Sequence, residues 1–198
     1  MERQDYLIVG LGNPDEQYLS TRHNLGFLVV DHLIGHWAAT SPQEKWQSRY
    51  CSTRVDDNRV HLLQPLTYMN RSGKAVAACL QFFKVAPEHL LVIHDDLDMR
   101  PGRIKLVKSG GTGGHNGLRS IVESLGTADF YRLKFGIGRP GQGGVHQDFP
   151  VDRYVLSAMD DDERATLERR LIPLTEGVEL FLKGDPARAM SLLNALKD

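Results

Sequence analysis

Two apolar runs, Tyr6-Leu7-Ile8-Val9 and Leu90-Leu91-Val92-Ile93, do most to limit the folds open to this chain. Neither alternates with polar residues, and each ends abruptly, at Gly10 and at His94. That pattern predicts strands buried on both faces, which need helices above and below a sheet. Polar clusters follow them: Gly12-Asn13-Pro14 leading to Thr21-Arg22-His23-Asn24, and His94-Asp95-Asp96, with Gly113-Gly114-His115-Asn116-Gly117 further on. Strand ends and helix starts are where α/β proteins place their functional side chains.

The remaining pattern fits the same class. Leu25, Leu28, Val29 and Leu33 recur at helical spacing, with Asn24 as the expected N-cap. Two β-rich runs between Trp46 and Leu63, interrupted by Asp56-Asp57-Asn58, predict a hairpin. Ser72 is placed to cap a helix carrying Val76, Ala77, Leu80 and Phe83. Ile104 and Leu106 alternate with Arg103 and Lys105, and Tyr131, Leu133, Phe135 and Ile137 with Arg132 and Lys134, as in strands. A helix is expected from about Asn116 to Leu125, and another from Asp160 to Lys183 that Pro173 should kink or split. Asp185-Pro186 reads as an N-cap with proline at the first helical position. The expectation is an α/β fold: a single domain spanning residues 1–198, with a mixed, largely parallel twisted sheet flanked by helices.

Composition narrows the function classes. A chain of 198 residues with 41% apolar and 25% charged residues can bury a full core and is not disordered. Its formal charge of −1 means that a nucleic-acid partner would need a local basic patch. Cys51 and Cys79 lack CxxC spacing and read as a reduced, partly buried pair. The N-terminus has no apolar signal region and no stretch is apolar enough to span a membrane, so a cytoplasmic location is expected.

The polar clusters carry the chemistry. A histidine beside a helix start is most often exposed or capping, but His23 as a neutral imidazole could take a proton from water near neutral pH. A helix N-terminus disfavours imidazolium, so such a base would want a carboxylate, and Asp95 could supply it by holding one ring nitrogen. The run His94-Asp95-Asp96-Leu97-Asp98 also admits a solvated turn or a metal site, although it lacks HxH or HxxxH spacing. Asn13, Asn70 and Asn116 read singly as turn or capping residues, and together as neutral groups able to grip a peptide backbone or an oxyanion. The glycines from Gly110 to Gly114 lack both the GxGxxG spacing and the lysine of a P-loop. Arg103, Lys105, Lys108, Arg132, Lys134 and Arg139 would form a phosphate-binding patch if their faces adjoined.

Taken in order, Gly10-Leu11-Gly12-Asn13-Pro14, Tyr18, Thr21-Arg22-His23-Asn24, Thr67-Tyr68-Met69-Asn70 with Ser72-Gly73, His94-Asp95-Asp96-Leu97-Asp98 and Gly113-Gly114-His115-Asn116-Gly117 resemble the bacterial peptidyl-tRNA hydrolase family. The likeness runs from about Tyr6 to Gly138 and continues more weakly to the C-terminus. It implies hydrolysis of the ester between a nascent peptide and tRNA by a monomer without metal or organic cofactor. It further implies His23 as the base, Asp95 as the partner favouring its basic form, and Asn13 as the group that separates N-blocked from free aminoacyl-tRNA. Tyr18, Tyr68, Asn70 and Asn116 would contact substrate. Tyr68 stands where the family often has phenylalanine, which preserves a stacking surface, and Lys134 occupies a basic position; the 139–153 loop is left unassigned. Two other readings compete: a module that holds RNA ends without catalysis, and a metal-dependent hydrolase built on His94, Asp95, Asp96 and Asp98.

Overall fold

Both apolar runs are central strands. In the computed structural model, which describes residues 3–141 and 145–196, they form β1 (Asp5–Gly10) and β5 (Leu90–Asp96). Residues 1–2 of the polar N-terminus, residues 142–144 of the glycine-rich loop and residues 197–198 lie outside the described residues. One sheet of 7 strands runs in the order β2-β3-β4-β1-β5-β7-β6, with β2 at Gln43–Lys45, β3 at Ser48–Val55, β4 at Asn58–Pro65, β6 at Ile104–Lys108 and β7 at Tyr131–Gly136. Strands β4, β1, β5 and β7 are mutually parallel, while β2, β3 and β6 join antiparallel at the edges.

Helices cover both faces, which is why β1 shows no polar alternation. Tyr6 and Ile8 point towards α1 (Leu25–His36), α5 (Asp161–Leu182) and α6 (Pro186–Ala195), in one cluster with Val29, Leu33, Val178, Phe181 and Leu193. Leu7 and Val9 point the other way, towards Val76 and Leu80 of α2 (Ser72–Phe83) and Leu118 and Ile121 of α3 (Asn116–Leu125). The N-terminus of α1 presses directly on the strand ends. A Cβ on Gly10 would sit 2.2 Å from the Gly26 carbonyl oxygen, and one on Gly26 would sit 2.4 Å from that of Ile93. Only paired glycines permit this approach, and it carries the turn holding His23 to the carboxyl end of β5.

Several local expectations change. Asn24 occupies the N-cap position of α1 as expected, but its side chain makes no cap bond and pairs with the backbone of Asn13 instead. Ser72 lies inside α2 and donates to the Met69 carbonyl, so it is not a cap. Asn116 is the first residue of α3 and His115 is its N-cap. Pro173 does not split α5, which runs unbroken over 22 residues because its core face holds it. Asp185 and Pro186 stand as expected. A fourth short helix, α4 (Val151–Val155), occupies part of the segment left unassigned.

Candidate active site

Strands β1 and β5 are neighbours, and the chain runs on from β1 to the β4 side of the sheet but from β5 to the β7 side. This is a topological switch point, where a crevice opens beyond the carboxyl ends of the strands. The segment after β1 supplies Asn13 and then a short 3-10 turn, Arg22–Asn24, containing His23. The end of β5 supplies Asp95, and the glycine-rich approach to α3 supplies His115 and Asn116.

His23 and Asp95, 72 residues apart, meet: Nδ1 lies 2.9 Å from Oδ1 and 3.1 Å from Oδ2. Asp95 is only 3% exposed and His23 only 9%. Burial by itself would raise the Asp95 pKa. The two imidazoles beside it, His23 and His115, outweigh that and hold the carboxyl well below its usual range. With Asp95 ionised and accepting Nδ1–H, the Nε2 lone pair of His23 is left free. A cleft of about 570 Å³ adjoins the group and is lined by His23, Asp95, Asn116, Lys134 and the glycines 111–114, among others.

Asn13, Tyr18, Tyr68 and Asn70 do not line that cleft. Asn13 sits in a cross-braced corner. Its N–H donates to Asn24 Oδ1 at 2.8 Å, Asn24 Nδ2 donates back to its carbonyl at 2.9 Å, and its Oδ1 accepts the Met69 N–H at 3.0 Å. Its Nδ2 has no acceptor among the described residues. Tyr68 is exposed and its hydroxyl donates to Asp15 Oδ2 at 3.0 Å; Tyr18 is half-buried, and Asn70 is exposed beside Met69. The expected residues thus fall into two groups, one around Asp95 and one around Asn13.

The acidic run after Ile93 is not assembled as a metal site. The His94 ring is buried, its Nδ1–H donates to the Asp95 carbonyl at 2.7 Å, and burial, aided by nearby His115, pushes its pKa down to about 3. Asp96 pairs with Lys134 at 2.6 Å and Asp98 with Arg139 at 2.7 Å. Among the described residues, the His/Asp group whose donor atoms lie within 4.8 Å of one another is His23, Asp95 and His115. The expected phosphate patch is also partly redirected. Arg132 is buried and donates to the Gly111 carbonyl at 2.6 Å, while Arg103 caps the α6 end at the Leu196 carbonyl. Neither cysteine is a nucleophile candidate: both are buried and free, and burial pushes the Cys79 thiol up to about 12.

Residues 7–198 match the family model described as peptidyl-tRNA hydrolase. The chain belongs to the peptidyl-tRNA hydrolase family. Its relatives include peptidyl-tRNA hydrolases of Desulfotalea psychrophila, 49% identical with 98% of each chain covered, and of Haemophilus influenzae, 44% identical with 96% of this chain and 97% of the other covered. The crystal structure of peptidyl-tRNA hydrolase from Acinetobacter baumannii superposes with a TM-score of 0.90 at 38% identity, covering 100% of this chain and 98% of that one. Peptidyl-tRNA hydrolases are enzymes of translation that hydrolyse peptidyl-tRNA, and the mixed sheet seen here is their fold. No described helix is long and apolar enough to cross a membrane.

Two residues of this peptidyl-tRNA hydrolase site escaped the sequence reading. His115 belongs to the Gly113–Gly117 run, and its signal is a histidine directly before a helix start, where an acceptor is needed. Arg22, 5% exposed, donates from Nε and Nη2 to the Glu163 carboxylate at 2.7 Å each, across 141 residues. No local signal pointed to that pair.

Proposed function

We propose that His23 is the general base of peptidyl-tRNA hydrolysis in this chain, with Asp95 holding its Nδ1–H. The observation that supports this most is the contact of His23 Nδ1 with both Asp95 oxygens, at 2.9 and 3.1 Å, on the wall of a cleft. A water hydrogen passes to Nε2 while its oxygen attacks the ester carbonyl. The tetrahedral adduct then expels the ribose oxygen, which takes the proton back from His23, leaving a peptide acid and free tRNA. Asn116, at the cleft, offers an uncharged amide donor to the developing oxyanion. Positioned proton transfer contributes about 10²- to 10⁴-fold to such a step.

Asn13 is the selectivity residue in this reading. Its Oδ1 is occupied by the Met69 N–H, so Nδ2 faces substrate as a donor. The carbonyl of an N-acyl group can accept from it. A free α-ammonium would set donor against donor in a 6% exposed corner and leave both unpaired. Tyr68, bonded to Asp15, and Asn70, next to the Met69 that Asn13 holds, are assigned to substrate contact together with Tyr18; the enzyme is a metal-independent cytoplasmic monomer of one domain.

The deciding experiment is His23→Ala, assayed in excess EDTA beside the parent protein. The expected result is full parental activity, a variant turnover lowered by at least about 10²-fold, and unchanged tRNA affinity. Retained variant turnover removes His23 from the chemistry; loss of parental activity to the chelator restores a metal-dependent reading.

A further inference from the structure

His115 uses its two ring nitrogens in opposite senses. Nδ1 accepts the backbone N–H of Gly117 at 3.2 Å and of Leu118 at 3.4 Å, which makes the ring the N-cap of α3. A nitrogen that accepts two N–H groups carries no hydrogen, so the hydrogen of the neutral ring is on Nε2. Nε2 lies 3.0 Å from Asp95 Oδ1, the oxygen that His23 Nδ1 approaches at 2.9 Å. The two rings stand 4.9 Å apart, and the His115 side chain is 8% exposed. The other tautomer would turn an N–H against the two helix N–H groups and a bare lone pair against the carboxylate. The helix end therefore dictates that His115 donates to Asp95.

We propose that His115 is a positioning residue for the His23–Asp95 pair: it fixes the carboxylate in the plane that serves His23 and withholds part of its charge from that ring. This rests on the reading of His23 as the base. A buried carboxylate devoted wholly to one imidazole would stabilise the imidazolium, which has no lone pair for water. Sharing Oδ1 between two N–H donors moderates that pull and also prevents rotation of the carboxylate. Most of the other charged or titratable groups around His23 are paired elsewhere, among them Asp98 with Arg139. On β5, His94 bonds the Asp95 carbonyl and Asp96 pairs with Lys134 of β7; Arg22 pairs with Glu163 of α5. Asp152 of α4 also lines the cleft, and among the described residues no hydrogen bond or ion pair joins it to His23 or Asp95. His115 is the group that shares Asp95 with the base.

The two functions of the ring separate in two variants. In His115→Asn, the amide oxygen replaces Nδ1 and keeps the α3 cap, but nothing reaches Asp95. In His115→Gln, the longer side chain keeps a donor near Asp95 and forfeits the cap. The expected result for the Asn variant is a kcat about tenfold lower, a KM for peptidyl-tRNA within about twofold of the parent, and an acid limb of the kcat/KM profile about one pH unit higher. The Gln variant is expected to keep kcat within about threefold and the acid limb in place, while melting below the Asn variant. Equal kcat in the two variants, or a Gln variant slower than the Asn variant, overturns the proposal and leaves His115 as a cap only. His23→Ala in the same series keeps the premises apart: its inactivity beside a normal Asn variant refutes only the role of His115, whereas its activity refutes the base.

Discussion

Arg22 and His23 are neighbours in one short turn, both buried, both facing a carboxylate from a distant part of the chain, yet they end in opposite states. Arg22 is saturated. Its guanidinium grips Glu163 with two nitrogens, reaches Ser157 Oγ at 2.5 Å, and stacks 4.4 Å from the centre of the Tyr154 ring. Glu163 also closes the capping box of α5 with Asp160, and Thr21 bridges to Ala158. His23 by contrast has one nitrogen tied to Asp95 and the other with no partner among the described residues, beside the cleft. A buried group with all its hydrogen bonds filled holds structure; one with a single bond withheld is able to do chemistry. The anchored neighbour is what lets the open one stay in place, since His23 inherits its backbone position from the turn Arg22 secures.

The sharpest way to break that contrast is Arg22→Met. Removing one member of a buried ion pair leaves Glu163 uncompensated, and about 3 to 5 kcal/mol of stability should be lost. Chemical denaturation is the check, and the comparison fails if stability holds while turnover disappears. In the complementary variant His23→Ala, denaturation should change far less than activity.

A smaller effect concerns two histidines that are buried without charge. Desolvation pushes His61 down to about 4, against the weaker pull of Asp5, and His94 down to about 3. Their native pKa values lie below the ordinary unfolded value of about 6.5, so full stability is present above that pH. As pH falls from about 6.5 to about 4, the unfolded chain takes up protons the native chain refuses, at about 1.4 kcal/mol per pH unit for each histidine. Below that window the loss passes to Asp95, whose depressed pKa adds stability that disappears as the carboxylate is protonated. Urea midpoints between pH 7 and 4 should fall for the parent and fall about half as steeply in His61→Gln, where His94 alone remains. A pH-independent midpoint would show that these rings do not stay neutral in the folded protein.

The smallest expected change, and the most selective, is at Asn13. It resembles His23 in miniature, with one side-chain atom bonded and the other left unpaired. Asn13→Ala should erode the preference for N-acyl over free aminoacyl-tRNA by about tenfold while slowing the better substrate less, since an unpaired donor is worth about 1 to 3 kcal/mol of discrimination. Measuring kcat/KM on both substrates decides it; equal losses would reduce Asn13 to a brace for Met69.

Much of this arrangement was legible in the residues. The unbroken apolar character of Tyr6–Val9 and Leu90–Ile93 announced strands covered on both faces, and the periodicity of Leu25, Val29 and Leu33 announced a helix packed on them. The polar clusters at their ends marked where a site would form, because only loops and helix starts can present side chains beyond a sheet. Caps were read less well. Asn24 and Ser72 have the side chains of N-caps, but the Asn24 amide is claimed by the Asn13 backbone and the Ser72 hydroxyl donates back three residues to the Met69 carbonyl. Short elements such as β2 and α4 carry too few residues to show a period.

Residue chemistry along the chain determined the sheet, its covering helices and the stock of histidine, carboxylate and amides at its edge, because these follow from preferences acting over a few neighbouring positions. Which histidine meets which acid, which nitrogen of His115 bears its hydrogen, and why Arg22 is closed while His23 stays open were decided only when β1 came to lie against β5 and α5 folded back on the turn between them. Such pairings join groups 72 and 141 residues apart, and a hydrogen bond is settled by geometry within about 3 Å that no local pattern encodes.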